Sequence, residues 1–518
     1  MNRIYQLAAA VIYVILFFAL FPWYRYVFDI DGVGYIHVAT RLAKGEYFNS
    51  IAGTWSPLGS WLIVPFVKSG FDPALTAKYV NGVLGLLTLY SCYSLLDKFN
   101  INDFLKRFIP FILVILLTSF SFYELFADLL VLFLLTLYLH LIFSKNFIHN
   151  NYKIAFAGLL GALCYYAKAY CFPFFLIHFS LVVFVLLKSN GSKNLWKQLI
   201  KKAVIAFITF FILVAPYVIA LSIKFGSPRI SNANKLCMSW FLSPGISDSR
   251  KMVSEPPFAD GTSTWDEPIY AQDKFVTPFT SFHYFLEEIR GTCDNTILFT
   301  KTLNDISIFS FAILIGFAVY LFKTKKETVA TEWLLMATTI IYPVGYLFVA
   351  IDWRYFWLVS ITLLLMAAIL LTYLLKKGFF SKKIITIASI VTCLSFIDKP
   401  LKQLKDQKYG NKDLYDIAAI FKQHNIKGNF FLNYKTADPY CNTTVLCYLD
   451  QSKFYGPVPL DYTFDELMKS AKQYNIDYYL YYYQYPNEKE IFLQSPYAKA
   501  GVKVYDDLYP GLIVVQLK

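Results

Sequence analysis

The chain alternates long apolar runs with short basic clusters, and that alternation predicts most of its elements. The first run covers Ile4 to Tyr24 and follows Arg3. A stretch of about 20 apolar residues spans a bilayer, and many runs here approach that length. Basic clusters stand at Lys98 with Lys106 and Arg107, at Lys145 with Lys153, and from Lys188 through Lys202. Others lie at Lys323 with Lys325 and Lys326, and from Lys376 through Lys383. Between two clusters, Phe108 to Phe143 is almost unbroken and apolar. As one helix it would be about 54 Å long at roughly 1.5 Å per residue, against a hydrocarbon core of about 30 Å. With basic flanks on both sides, the run is expected to form a hairpin of two spans with its outer turn near Glu124. Ile154 to Leu187 reads the same way and turns around Lys168. The pattern predicts an α-helical polytopic membrane protein of about 11 transmembrane helices, N-terminus cytoplasmic and C-terminus outside. No small-residue cleavage site follows the first run, so it is read as a retained span.

The polar stretches fall on the outer side of this topology. Residues 25–73 make a first outer loop within a transmembrane domain of residues 1–397, and residues 224–304 make a second, rich in Pro, Ser, Gly and charge, with Trp240 and Trp265. Residues 398–518 read as a small α/β domain. Helical periodicity covers Leu414 to His424 and Phe464 to Tyr474, and strands are expected at Asn429–Asn433, Asp477–Tyr483 and Leu512–Leu517. The Tyr-rich stretch Tyr478 to Tyr485 is read as a packed strand with an exposed aromatic end.

Composition sharpens the class. Hydrophobic residues make up 57% and aromatics 19% of 518 residues, which excludes an ordinary soluble enzyme. The net charge of +13 points away from nucleic acid, because the Lys and Arg residues cluster between apolar runs as the positive-inside trend requires. Richness in Lys, Ile, Asn and Phe suits an AT-rich bacterium and hence an inner-membrane location, so the Asn442-Thr443-Thr444 acceptor triplet is discounted. The absence of an internal repeat counts against transporters built from two related halves. The eight cysteines show no metal-binding spacing. Cys237 with Cys293, and Cys441 with Cys447, fall in outer segments where disulfides form.

Candidate chemistry gathers at the outer face. Asp29-Ile30-Asp31 closes the first span and precedes an amphipathic stretch, Gly34 to Lys44, stopped by Gly45, after which comes Trp55-Ser56-Pro57-Leu58. Glu124 and Asp128 are four apart at one outer hairpin and share a face if that turn is helical. Lys168 marks the next hairpin, and Arg354-Tyr355 follow Asp352-Trp353. Ionisable groups at membrane depth default to a functional reading. A guanidinium binds phosphate through a planar fork and keeps its charge. With Lys168 it would offset the charge growing on a phosphate leaving group. Opposite them a carboxylate would take the proton of an attacking hydroxyl, and two neighbouring acids raise each other's pKa towards useful base strength. The blander readings are that Asp31 caps the helix after it, that Lys168 snorkels to the interface, and that Arg354 pairs with Asp352. Arg41 and Lys44 are expected on the solvated face of the amphipathic stretch, and His37 is expected to be non-catalytic.

Asp29-Ile30-Asp31-Gly32 with Tyr35, Ala39, Leu42 and Gly45 resembles the first outer loop of GT-C membrane glycosyltransferases. The pattern is similar to the lipid A aminoarabinose transferases and the protein O-mannosyltransferases. Trp55-Ser56-Pro57-Leu58, Glu124 with Asp128, Lys168 and Arg354-Tyr355 fall in the family's order, over roughly residues 1–375. The resemblance implies the GT-C fold, a polyprenyl-phosphate sugar donor, inversion at the anomeric carbon, and Asp31 at the catalytic position with Asp29, Asp128 and Glu124 assisting. It implies Lys168, Arg354 and Tyr355 on the phosphate, Tyr35 and Trp55 on substrate, and no cofactor beyond the lipid-linked sugar, a divalent metal staying open. The partners would be the donor lipid, membrane lipids and an acceptor lipid, glycan or protein. Gly32 stands where many members carry Glu, and Ser56 where the aminoarabinose transferases place a phosphate-binding Lys, so the acceptor of that subfamily is not implied. Two alternatives stay open: a polymerase or ligase of lipid-linked oligosaccharides, and a non-enzymatic flippase or transporter.

Overall fold

The computed structural model describes residues 3–123, 125, 127–189, 191, 194–243, 253–272, 274–324, 330–433, 437–459 and 462–518. The first helix, α1 (Arg3–Tyr24), is apolar along most of its length. After a short turn, α2 (Ile30–Ala43) begins at Asp29, whose carboxylate accepts the Gly32 N–H at 3.2 Å. The cap is therefore Asp29, and Asp31 sits inside the first turn. Gly45 ends the segment at φ +84°, a left-handed turn that favours glycine. Pro57 opens α3 (Pro57–Lys68), and Asp72 caps α4 (Pro73–Leu96) through the Leu75 N–H at 2.7 Å.

The expected hairpins are present. Phe108 to Phe143 divides into α5 (Asp103–Tyr123) and α6 (Asp128–Ile142), and Ile154 to Leu187 into α7 (Asn151–Ala167) and α8 (Cys171–Ser189). Glu124 lies outside the described residues. Then follow α9 (Leu195–Lys224), α10 (Ala233–Leu242), α11 (Phe282–Ile306), α12 (Ser310–Lys323), α13 (Ala330–Leu347), α14 (Trp357–Lys376), α15 (Lys382–Ser395) and α16 (Asp398–Asp406). The last part of the 224–304 stretch is thus helical, and α11 meets α12 at 90°. Among the described residues seven helices are long and apolar enough to cross a membrane, or eight if α11 and α12 form one bent span. The expected eleven spans would also need α6, α7 and α13, which at 15, 17 and 18 residues are short or less apolar. The molecule is a multi-pass membrane protein. α7 packs along α9, and α4 lies against α5 and α6.

The tail carries a five-stranded sheet. Its strands are β1 (Asn429–Asn433), β2 (Lys453–Val458), β3 (Tyr478–Tyr482), β4 (Lys503–Tyr509) and β5 (Leu512–Gln516), in the order β2-β1-β3-β5-β4. β2 and β3 run parallel to β1, while β5 and β4 close the sheet antiparallel. α17 (Lys412–Gln423), α18 (Ala437–Asp450) and α19 (Phe464–Gln473) flank it, the last opened by a Thr463–Glu466 capping box. The sheet domain does not hang free. Phe28, Val33, Ile36 and Trp55 of the first loop share one core with Phe430, Leu446 and Phe454 of the tail.

Residues 253–272 run between these two parts as a strap. On the sheet side, the Ser254 N–H donates to the Tyr455 carbonyl at 2.8 Å and the Phe454 N–H to the Thr262 carbonyl at 2.7 Å. On the α2 side, Arg41 donates to Asp260 at 2.9 Å and to Asp266 at 3.1 Å. Arg41 was expected to face solvent; it is 1% exposed and lies over the Phe258 ring at 3.8 Å. The reason is the strap, which covers the polar face of α2 and supplies the counter-charges. Lys44 keeps an exposed side chain, 3.7 Å from Asp260. All eight cysteines are free, and neither of the two pairings open to the outer segments is made. Cys441 and Cys447 are six residues apart on α18, which puts them on different faces of one helix.

Candidate active site

The first loop, two helix hairpins and the strap bring the charged residues to one end of the helix bundle. Asp31 is held on both oxygens. Its Oδ2 accepts from Arg354 Nη2 at 3.2 Å, and its Oδ1 accepts from the Trp265 indole N–H at 3.1 Å. Arg354 enters from a short turn after α13, where Asp352 caps it by accepting the Arg354 backbone N–H at 3.1 Å. The Arg354 Nε lies 3.6 Å from Asp128 and 3.5 Å from Asp352. Asp128, the first residue of α6, accepts from Lys168 Nζ at 2.5 Å. One chain of opposite charges therefore runs Asp31, Arg354, Asp128, Lys168.

Aromatic rings line the cations. Lys168 Nζ lies 3.8 Å from the centre of the Tyr355 ring, which stacks on Tyr346 at 4.4 Å, and Tyr346 stacks on Tyr170 at 4.0 Å. Such faces attract a cation and exclude water around it. The hairpin carrying Lys168 is tied to the first loop, since the Ala169 N–H donates to Ser56 Oγ at 3.1 Å. Ser56 thus serves this backbone where a lysine stands in the resembled subfamily.

Asp29 lies beside this chain, within the electrostatic reach of Arg354. Burial first, and then the neighbouring Asp31 charge, pushes its carboxyl up to about 7. Below it, Lys78 of α4 is buried and donates to the carbonyl oxygens of Tyr24 and Val27 at the end of α1. Burial pushes the His37 imidazole below its ordinary value, and its Nε2 sits 2.9 Å from Thr262 Oγ1.

The structure thus brings Asp29, Asp31, Asp128, Lys168, Arg354 and Tyr355 into one cluster. Tyr35 and Trp55 are both buried beside it, their rings 5.3 Å apart, and the Trp55 N–H donates to the Asp266 carbonyl at 2.9 Å. Sequence reasoning missed the strap's part: Trp265 on Asp31, and Glu267 accepting from the Gly53 N–H at 2.8 Å, Thr54 Oγ1 at 2.5 Å and Asn232 Nδ2 at 3.2 Å. It also missed Lys78, which a lone lysine inside an apolar span signals. Among the described residues no group of three or more His, Cys, Asp or Glu side chains is arranged to hold a metal ion.

No family model matches the sequence, and no curated protein matches it. Solved structures do match in fold. One is the archaeal oligosaccharyltransferase AglB from Archaeoglobus fulgidus, in complex with an inhibitory peptide and a dolichol-phosphate. The likeness has a TM-score of 0.56 at 11% identity and covers 93% of this chain and 70% of that one. A second Archaeoglobus fulgidus oligosaccharyltransferase structure, with zinc and sulfate, gives a TM-score of 0.57 at 12% identity, with 92% and 68% coverage. ArnT from Cupriavidus metallidurans, bound to undecaprenyl phosphate, gives 0.48 at 11% identity over 100% of this chain and 99% of that one. At this identity the oligosaccharyltransferase likeness is one of fold, and the fold is of the GT-C type that the sequence resembles.

Proposed function

We propose that the protein transfers a sugar from a polyprenyl-phosphate carrier to an acceptor hydroxyl, at the outer face of a bacterial inner membrane, with inversion. The observation that carries this reading is the charge chain itself, in which Arg354 touches both Asp31 and the Asp128–Lys168 pair. Lys168 and Arg354 would take the carrier phosphate, with Asp128 holding both cations towards it. The acceptor oxygen attacks the anomeric carbon, its proton passes to Asp31, and the carbon–oxygen bond to phosphate breaks with its electron pair going to the phosphate oxygen. Charge growing there meets two fixed cations in a shielded place, typically a large catalytic contribution.

The test is release of free carrier phosphate from radiolabelled undecaprenyl-phosphate sugars by purified protein, wild type beside Asp31→Asn. Turnover by wild type, lowered about 10²- to 10⁴-fold in the variant, is expected. Equal turnover by both would remove Asp31 from the role. The likeness to an oligosaccharyltransferase favours one second reading, transfer of a preassembled lipid-linked oligosaccharide. An absolute need for a diphosphate-linked donor would select it.

A further inference from the structure

We propose that Trp265 is a positioning residue for Asp31, so that the strap from residue 253 to 272 completes the catalytic site rather than only covering it. The inference rests on the reading of Asp31 as the group that takes the acceptor proton.

An aspartate side chain turns easily about its last torsion, because that rotation has a broad profile. One bond leaves a carboxylate free to swing; two bonds on different oxygens fix its plane. Arg354 supplies the first at 3.2 Å and Trp265 the second at 3.1 Å. The two donors differ in kind. Arg354 also lies 3.6 Å from Asp128 and 3.5 Å from Asp352, so its position answers to other charges. The indole has one N–H and no acceptor, and that N–H points at Asp31.

The indole is also held still. The residues on both sides of it are anchored. Thr264 Oγ1 lies 2.9 Å from the Tyr440 hydroxyl of α18, and Ser263 Oγ accepts the Trp265 backbone N–H at 3.2 Å. Asp266 is clamped by Arg41 and by the Thr262 N–H at 3.0 Å, and Glu267 by Gly53, Thr54 and Asn232. The ring stacks on Trp240 with centroids 5.4 Å apart and planes 12° from parallel, and meets Trp55 at 6.1 Å. A side chain stacked on one face, anchored through its chain neighbours and ending in a single donor at a candidate base is built for orientation.

The experiment uses the whole purified protein in nanodiscs with ¹⁵N-labelled indoles. Nine tryptophans give nine side-chain N–H signals, and the one missing in Trp265→Phe is Trp265. Asp31→Asn is expected to move that signal more than the other eight. Trp265→Phe keeps a stacking ring and loses the donor, so kcat with the best undecaprenyl-phosphate sugar should fall about tenfold, while KM stays within roughly threefold. An unmoved Trp265 signal in Asp31→Asn would overturn the contact. A moved signal with unchanged kcat would overturn the positioning role. Wild-type protein inert towards every carrier-linked sugar sinks the proposed function and this role with it, while the indole signal still reports the contact.

Discussion

Two arginines, Arg41 and Arg354, stand close to the same short helix and do opposite things. Arg41 is 1% exposed, lies on Phe258, and meets Asp260 and Asp266 at 2.9 and 3.1 Å. Its charge is answered inside the protein. Arg354 keeps 16% of its side chain exposed and reaches three carboxylates at 3.2 to 3.6 Å. The contrast is between a buried charge answered by two carboxylates of one strap and a charge shared among three carboxylates from separate segments.

The comparison gives three ways to break it. The largest effect is expected from Arg41→Met, which leaves Asp266 buried without its partner. Removing one side of a buried pair costs about 3–5 kcal/mol, so the variant should unfold at markedly lower denaturant or temperature. A stable Arg41→Met protein lacking only activity would invert the argument. Next comes Lys168→Gln on the cation side. Turnover of a carrier-linked sugar should drop about 100-fold, with a smaller loss of thermal stability than in Arg41→Met; unfolding of this variant would show that Lys168 holds structure.

The smallest effect concerns Asp29, whose carboxyl is raised by burial and by Asp31 to about 7. A carboxyl raised on folding contributes stability below its unfolded value, near pH 4, and loses it as pH climbs through 7. Asp29→Asn should therefore melt a few degrees higher than wild type at pH 8, and the difference should vanish near pH 4. In the wild type, activity should rise through about pH 7, and the variant should lack that rise. Identical melting curves for the two proteins at pH 8 would contradict the burial of this charge.

Much of this was legible in the chain. The apolar arithmetic placed the hairpins because bilayer thickness is a fixed ruler, and Asn429–Asn433 was read to the residue because its apolar centre, Phe430-Phe431-Leu432, lies between two asparagines. Asp29, Asp31, Lys168 and Arg354 stood out as charges at the ends of apolar runs. What escaped was whatever depends on pairing between distant segments. Nothing near Arg41 in sequence shows that Asp260 and Asp266 will bury it, so its helical spacing read as solvated. Asp29 took the cap expected of Asp31 because the helix starts four residues before the amphipathic stretch. β2 and β4 were missed: β2 contains Gly456 and Pro457, and β4 carries Asp506 and Asp507, which blur the strand pattern.

The turn bearing Asp29 has a seam with the far end of the chain. The Tyr409 N–H donates to the Trp23 carbonyl at 3.0 Å, Asn411 Nδ2 donates to the Phe28 carbonyl, and Ser119 Oγ donates to the Pro400 carbonyl at 3.1 Å. A chain is made from its N-terminus onward, so the first loop leaves the ribosome long before residues 400–411 exist to close over it. Until then the turn that carries Asp29 lacks its bonds to Tyr409 and Asn411. The consequence is one of timing: during biogenesis the first loop waits for residues 400–411, and a protein cut short before residue 400 would carry Asp29, Asp31, Asp128, Lys168 and Arg354 without the seam that closes beside them.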